Sequence, residues 1–256
     1  MTRYVHTTVD VGYGKLVIDG NSKINLDDYY EPTPNALSLP HVSTCPGATP
    51  TCLRSCYVNG LQRNAPDVCE SYRANEATLH RALMTPDARA ASAERLGAWI
   101  GANVSGFRWH VSGDVMCDRH AWWIVDVCRQ SPCTPHWIYT RTLQLADVLC
   151  QARNLSVNLS ADADNWAAAR RVAEHTGARL CFEASGEGAV PAGLRAGDVI
   201  FPDYPLRGRE LDEPTSAPWW QGLTQEQRRM VCPADFFGQS ERHRCGPCKR
   251  CLVRSV

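Results

Sequence analysis

Short apolar runs alternate with longer amphipathic segments through the middle of the chain. The runs are rich in β-branched and aromatic residues, which is typical of strands, and the segments between them have helical spacing. The predicted strands are 107–113, 136–142, 154–160, 178–184 and 198–204, and the predicted helices are 118–130, 143–153 and 162–177. Strands that alternate with such helices indicate right-handed βαβ units and a parallel sheet.

This pattern predicts an α/β fold, with a partial or complete parallel (β/α) barrel of the TIM type. Five or six strands suit an open or partial barrel better than a complete eight-stranded one. The chain has 256 residues, enough to bury the core of a barrel-sized domain, and no clean linker divides it. We therefore predict one domain, 1–256, with a hairpin and irregular segment at 1–44, a cysteine loop and barrel at 45–204, and a C-terminal extension at 205–256.

The amino-terminal part of the chain has a different pattern. Two β-prone runs flank the tripeptide Asp19-Gly20-Asn21 and predict a β-hairpin over residues 13–26. The segment 31–52 is too rich in proline for regular structure, so we expect it to form a loop. Helices are predicted across residues 70–103, and Pro86 is expected to separate two of them.

Seven of the thirteen cysteines fall into two compact groups near opposite ends of the chain. The first group is Cys45, Cys52 and Cys56, spaced C-x6-C-x3-C, and the second is Cys232, Cys245, Cys248 and Cys251, spaced C-x12-C-x2-C-x2-C. Thiolates this close together on a turn converge on one soft metal centre. We predict one or two [4Fe-4S] clusters. Zinc is the alternative at the second group, because both metals accept four thiolates.

The remaining cysteines have no ligand spacing and are interpreted as small buried hydrophobic residues: Cys69, Cys117, Cys128, Cys133, Cys150 and Cys181. A disulfide framework is disfavoured, because the cysteine count is odd and the chain is much longer than secreted domains that need such bonds. The first residues lack an apolar run behind a basic start, and no segment is long and apolar enough to span a bilayer. We expect a cytoplasmic protein with no membrane partner.

The charge composition does not indicate a nucleic-acid partner. Lys plus Arg and Asp plus Glu number 27 each, so the formal net charge is zero. The terminal segment 241–254 is basic, and its cations lie between the cysteines of the second group: Arg242, His243, Arg244, Lys249, Arg250 and Arg254. Because an iron-sulfur cluster with four thiolates is negatively charged, we interpret these cations as compensation for that charge.

Polar residues follow the predicted strands, at the ends where the βα loops of a parallel barrel meet. They are Ser112 and Asp114, Thr140 and Arg141, Ser160 and Asp162, then Glu183, and finally Asp203. A single polar residue at this position ordinarily caps the next helix, which is our interpretation for Asp162 or Asp164. A whole ring of such residues predicts a pocket.

Together these segments resemble the phage-encoded gene product 88 family. They are ALSLPHVSTCPGATPTC, FRWHVSGD, WIYTRT, NLSVNLSAD and the closing cysteine group, in the order typical of that family. The resemblance extends from about Leu37 to Cys251. It implies a bacteriophage or prophage protein in the cytoplasm of a bacterial host, and it implies no particular reaction.

The layout is also similar to that of radical S-adenosylmethionine enzymes, which have a cysteine loop near the start, a partial parallel barrel and a glycine-rich turn with an acidic residue. This resemblance implies a [4Fe-4S] cluster on the first cysteine group. It places the amino group of S-adenosylmethionine at Ser112, Gly113 and Asp114 and its ribose at Ser160. Asp114 and Arg141 are then the candidate catalytic residues. The spacing departs from the C-x3-C-x2-C of that superfamily, because this chain has C-x6-C-x3-C.

Three functions are therefore considered. The first is an iron-sulfur enzyme of the radical type, acting on an unidentified substrate with an electron-donor protein as partner. The second is a non-catalytic iron-sulfur protein that carries electrons, senses redox state or regulates host machinery. The third is a zinc-stabilised binding protein, which we rank below both iron-sulfur interpretations.

Overall fold

The fold is known from a computed structural model, which describes residues 4–60, 64–184, 190–202, 218–236 and 240–252. Its strands form one sheet in which the order in space follows the order in sequence. They are β1 Tyr4–Asp10, β2 Lys15–Asn21, β3 Ala36–Leu37, β4 Phe107–Trp109, β5 His136–Thr140, β6 Leu155–Ala161, β7 Arg179–Ala184 and β8 Val199–Pro202. Strands β1 to β3 pair antiparallel, and β3 to β8 pair parallel.

The helices of the described residues are α1 Pro50–Ser55, α2 Pro66–Ala82, α3 Pro86–Asn103, α4 Asp118–Gln130, α5 Ala146–Leu149, α6 Trp166–Thr176, α7 Pro218–Gln221, α8 Gln225–Met230, α9 Pro233–Phe236 and α10 Cys245–Cys248. Short 3₁₀ turns cover Tyr57–Gly60 and Leu143–Leu145. Helix α3 begins at Pro86 because Thr85 caps it, accepting a hydrogen bond from the Ala88 amide at 3.2 Å. The prediction that Pro86 separates two helices is confirmed. None of these helices is long and apolar enough to cross a membrane.

The parallel strands have two different faces. In β7, Leu180, Phe182 and Ala184 belong to the main hydrophobic core, whereas Arg179, Cys181 and Glu183 alternate with them and point the other way. Successive right-handed crossovers in one direction place the connecting helices on the same side of the sheet. The core between sheet and helices therefore leaves the opposite face free for polar residues.

The predicted α/β class is confirmed, but the predicted barrel is not, because the sheet does not close. Its two ends are β1 and β8, and each pairs with a single strand of the sheet. The parallel part contains only β3 to β8, and the antiparallel β1–β2 hairpin occupies the edge that a closing strand would need. A barrel requires the first and last strands to meet.

The predicted hairpin at residues 13–26 is shifted. The actual hairpin joins β1 to β2 through residues 11–14, where the Val11 amide donates to the Gly14 carbonyl at 3.0 Å. Gly12 and Gly14 have φ of +85° and +132°, which side chains rarely adopt, so the turn forms there. The tripeptide Asp19-Gly20-Asn21 lies within β2 instead.

The boundaries of several other elements also differ from the prediction. Strand β4 ends at Trp109, because His110 has a φ of 58° and leaves the extended conformation. The segment 31–52 was predicted to lack regular structure, yet it contains β3 and the start of α1. The predicted helix 143–153 is reduced to a 3₁₀ turn and α5. Residues 203–204, with the strand-end candidate Asp203, lie outside the described residues.

Three buried histidines should make the fold sensitive to acid. Burial lowers the pKa of His110 to about 4 and that of His136 to about 3, and it lowers the pKa of His120 well below 6.5. The unfolded chain takes up protons on these groups as the pH falls through 6.5, whereas the folded chain does not. The stability that they contribute is therefore present above pH 6.5 and is lost as the pH falls toward 4.

Asp19 has the opposite effect on stability. Burial raises its pKa to about 6, so as the pH falls the folded chain takes up this proton before the unfolded chain does. Each histidine should lower the free energy of unfolding by up to about 1.4 kcal/mol per pH unit between pH 6 and pH 5. Asp19 and Asp114, whose pKa burial also raises, offset part of this fall. Urea denaturation at several pH values measures this slope. His136→Gln should reduce it by about 1.4 kcal/mol per pH unit, because it removes one buried imidazole. Equal slopes for wild type and His136→Gln would contradict the assignment.

Candidate functional site

One cavity of about 360 Å³ is lined by both predicted cysteine groups and by the predicted cofactor-binding and catalytic candidates. Thr140 and Asp162 of the predicted strand-end ring do not line it. It lies at the carboxyl ends of the parallel strands and extends over the sheet face opposite the helices. Its walls include Cys45, Cys52, Cys56, Ser112, Gly113, Asp114, Arg141, Ser160, Cys232, Cys245, Cys248 and Cys251. Residues from both ends of the sequence therefore meet in a single space, as the predicted pocket requires.

The first cysteine group lies on and around α1. Thr49 caps this helix, accepting a hydrogen bond from the Cys52 amide at 3.0 Å, and Pro50 occupies its first turn. Cys52 lies within the helix, Cys56 is its C-cap residue, and Cys45 precedes it on a turn. The long spacing between the first two cysteines is thus taken up by a turn and a helix start, which return the chain to the cavity.

Strand-end carboxylates fix α1 in place. The Thr49 hydroxyl donates to Asp162 Oδ2 at 2.5 Å, the Thr51 amide donates to Asp164 Oδ2 at 2.9 Å, and the Ser55 hydroxyl donates to Glu183 Oε1 at 2.5 Å. These contacts join the cysteine helix to the ends of β6 and β7. The acidic residues that followed the predicted strands therefore position the first cysteine group, rather than capping α6 through their side chains.

Arg141 is the centre of this arrangement. Its guanidinium donates to Asp162 Oδ2 at 2.5 Å and to Glu183 Oε2 at 2.6 Å, and its side chain is only 10% exposed. A Cβ on Gly47 would overlap the Arg141 carbonyl, so the cysteine loop packs directly on the chain after β5. The charge of Arg141 also lowers the pKa of Cys52, against the larger effect of burial, which raises it. The cation thus lies beside a candidate ligand.

Asp114 joins the ends of β4 and β5. Its carboxylate accepts hydrogen bonds from the Val115 amide at 2.7 Å, the Arg141 amide at 2.8 Å and the Thr142 hydroxyl at 3.1 Å. Burial raises its pKa, and these hydrogen bonds lower it. The carboxylate is 5% exposed and well supplied with donors, so the observed contacts are those of a residue that orders the cavity floor.

Ser112 and Gly113 form the adjacent turn. Gly113 has a φ of +80°, and a Cβ there would lie 2.6 Å from both Leu39 Cβ and Thr44 Oγ1, so no side chain fits. The Ser112 side chain is buried, and its hydroxyl has no hydrogen-bond partner in the described part of the chain. Ser160 lies across the cavity in β6, beside Cys181 of β7.

The second cysteine group folds back over the sheet face opposite the helices. The Cys245 amide donates to the Lys23 carbonyl at 3.0 Å, and the Cys232 amide donates to Ile200 of β8 at 2.8 Å. The Cys251 carbonyl accepts from the Asn158 side chain in β6 at 3.3 Å. Contacts with the loop after β2, with β6 and with β8 therefore hold the C-terminal segment over the cavity.

Arg244 anchors the same segment, donating to the Asn25 carbonyl at 2.8 Å. Gly246 packs so closely that a Cβ would lie 2.5 Å from the Leu26 carbonyl. The cations around the second group include Lys23 and Arg108, both of which lower the pKa of Cys245 against the larger effect of burial, which raises it to about 12. Basic residues thus lie near both cysteine groups.

The donor set is suited to a soft metal. All thirteen cysteines lie in the described residues, and none of them forms a disulfide there. Burial, with smaller contributions from the Asp114 carboxylate and the Cys52 and Cys56 thiols, raises the pKa of Cys45 to about 12. Such thiols lose their protons readily only beside a strong positive charge, which a metal supplies. Within the described residues, no three His, Cys, Asp or Glu side chains are already gathered closely enough to hold a single metal ion.

Two further cavity residues were missed by the sequence analysis. Cys181 was interpreted as a small core residue, and Arg108 was not singled out, yet both line the cavity. The Arg108 guanidinium lies 5.0 Å from the centre of the Tyr139 ring. The alternation of polar and apolar residues in RLCFEA places Cys181 on the same face as Arg179 and Glu183, and this signal was available in the sequence.

Comparison with known proteins gives one match. A sequence model of the family described as Gene product 88 matches residues 12–254. No curated protein and no solved structure matches the chain significantly. The matched span includes both cysteine groups and all the strand-end residues that line the cavity.

Proposed function

The chain belongs to the gene product 88 family. We propose that it is a phage-encoded iron-sulfur protein with a [4Fe-4S] cluster in the cavity at the carboxyl ends of its parallel strands. One observation carries the proposal. Cysteines that are nearly 200 residues apart in sequence line a single cavity and form no disulfide there. Cysteines that served only as small apolar residues would be expected in the core between the sheet and the helices.

The first cysteine group fits a four-iron cluster with three protein ligands. Such a cluster supplies one-electron chemistry when it is bound. Arg141 places a positive charge beside Cys52, and the strand-end carboxylates hold α1 so that its cysteines face the cavity. The second group supplies a further centre, for which a second [4Fe-4S] cluster is proposed and zinc is the alternative.

An enzyme is proposed ahead of a non-catalytic carrier, because three cysteines leave one coordination position for a small molecule in the cavity. S-adenosylmethionine is the candidate for that position, with Ser112, Gly113, Asp114 and Ser160 as its candidate contacts. The unpartnered Ser112 hydroxyl in the cavity wall supports a ligand at this point. Asp114 and Arg141 then act by positioning, since their polar atoms already bind protein groups. An electron-donor protein is the proposed partner.

Anaerobic purification tests the iron-sulfur proposal. The protein should be brown, absorb broadly near the blue edge of the visible spectrum and contain stoichiometric iron and sulfide, because charge transfer from sulfur to iron lies at those wavelengths. A colourless chain that carries zinc and no iron after reconstitution would overturn the proposal.

Electron paramagnetic resonance of the reduced protein separates the two iron-sulfur functions. Adding S-adenosylmethionine should change the signal of the first centre if a cluster iron has a free position. An unchanged signal, together with no reductive cleavage of S-adenosylmethionine, would favour the non-catalytic function, as an electron carrier or a regulator.

A further inference from the structure

We propose that Cys181 is a metal ligand of the second centre, which it completes together with Cys232, Cys245 and Cys251, and that Cys248 is not a ligand. The inference rests on the proposed iron-sulfur function and assigns the residues of its second site. Counting Cys181, five thiols of the cavity surround that site, whereas a cluster or a zinc ion takes four.

The position of Cys181 is unlike that of a core cysteine. It lies in the middle of β7, is 2% exposed and lines the cavity on the face opposite the helices. Its Sγ points to Asn158 Oδ1 at 4.0 Å, and Arg179 donates to the same oxygen at 2.9 Å. By contrast, the buried Cys128 of α4 packs inside the main hydrophobic core. Of these two buried cysteines, only Cys181 lines the cavity.

Asn158 also connects Cys181 to the C-terminal segment. Its side-chain oxygen faces Cys181, and its side-chain nitrogen donates to the Cys251 carbonyl at 3.3 Å. The side-chain amide of Asn158 therefore lies between the Cys181 thiol and the Cys251 carbonyl. The Cys251 and Cys232 thiols are also close enough to raise the pKa of Cys181, after the larger effect of burial. These contacts put Cys181 near Cys232 and Cys251 of the second group, although it is 51 residues before Cys232 in sequence.

The strands around Cys181 fix its direction. Cys181 pairs with Ser160 of β6 on one side and with Val199 of β8 on the other, so its backbone is held by two parallel neighbours. Cys232 is attached to β8 through the Ile200 carbonyl, which places it next to the same part of the sheet. A ligand on a central strand is more rigid than one on the tail, and it would anchor the centre to the domain.

Cys248 is the least suited of these five cysteines to be a metal ligand. It is exposed at the end of α10, whereas Cys232, Cys245 and Cys251 are partly covered and Cys181 is buried. The next residue, Lys249, has a φ of 49° and turns the chain away from the helix before Cys251. The short spacing of Cys245, Cys248 and Cys251 predicted that all three are ligands. The proposed second centre keeps only Cys245 and Cys251.

Serine variants of the full chain test this assignment, with iron and sulfide content and the resonance signal of the reduced protein as readouts. After anaerobic reconstitution, Cys181→Ser should lose about half of the iron, or keep it with altered g values, because one centre loses a thiolate. Cys248→Ser should keep all the iron and the wild-type signal. Cys128→Ser is the matched control, a buried cysteine behind the sheet.

The outcomes distinguish this assignment from the proposed function. Unchanged iron and zinc contents and an unchanged signal in Cys181→Ser would overturn the assignment while leaving the iron-sulfur function intact. Loss of the second centre in Cys248→Ser would also overturn it, and this result does not depend on whether Cys181→Ser folds. A wild-type chain that binds no iron would overturn both.

Discussion

Cys52→Ser should retain about half of the iron of the wild-type chain, because it disables the first centre and leaves the second intact. Cys52 lies on α1, which is held at the ends of β6 and β7, whereas the second group lies on the C-terminal segment over the sheet face. Different elements support the two groups, so the loss of one thiolate should not disturb the other site. Iron analysis and electron paramagnetic resonance of the reconstituted protein measure the effect.

Cys133→Ser is the control for this experiment. Cys133 is exposed and is not part of the cavity wall, so its replacement should leave the iron content and the spectrum unchanged. If Cys52→Ser lost all of the iron, the two groups would share a single cluster that bridges the ends of the chain. Unchanged iron would remove Cys52 from the ligand set.

The order of strands and helices could be predicted because it follows from local patterns. Helix α4 was predicted at residues 118–130 and is observed there, since its apolar residues have regular helical spacing. Strands β5, β6 and β7 are also close to their predicted positions. Apolar residues alternate with polar ones in β6 and β7, and β5 is a short, largely apolar run. Such local patterns are visible without knowledge of the partner strands.

Long-range pairing could not be predicted in the same way. Strand β3 has two residues inside a proline-rich segment, and it exists because it pairs with β2 on one side and with β4, about seventy residues later, on the other. Closure of the sheet likewise depends on which strands meet, and the count of strands left both an open and a closed form possible. The antiparallel β1–β2 hairpin lies at one edge of the sheet, and the sheet stays open there. The turn of this hairpin lies at Gly12 and Gly14, which were not predicted as turn residues.

The candidate site was predictable as a set of residues but not as a set of contacts. Strand ends and cysteine spacing identified some of the residues that line the cavity, but not Arg108 or Cys181. The spacing did not show that Asp162 and Glu183 bind α1, or that Arg141 joins the two carboxylates. The contacts with α1 connect residues more than a hundred positions apart in sequence, and those of Arg141 connect residues 21 and 42 positions apart. All of them arise only when the sheet has formed.

The ion-pair network of Arg141 leads to the second large expected effect. Arg141→Met should lower the free energy of unfolding by about 3–5 kcal/mol, because it leaves the carboxylate of Asp162, which is 1% exposed, without its cation. Urea denaturation measures this loss. The control is Arg170→Met, which removes an exposed pair with Glu174 and should cost less than about 0.5 kcal/mol.

The same substitution should remove the first metal centre. Without Arg141, Asp162 and Glu183 repel each other at the end of α1, and the positive charge beside Cys52 is lost. We expect Arg141→Met to bind about half of the wild-type iron while the second centre keeps its spectrum. Arg141→Lys should be intermediate, because an ammonium group keeps the charge but cannot bind both carboxylates in the geometry of a guanidinium. Wild-type stability and full iron in Arg141→Met would show that α1 is held by its hydroxyl contacts alone.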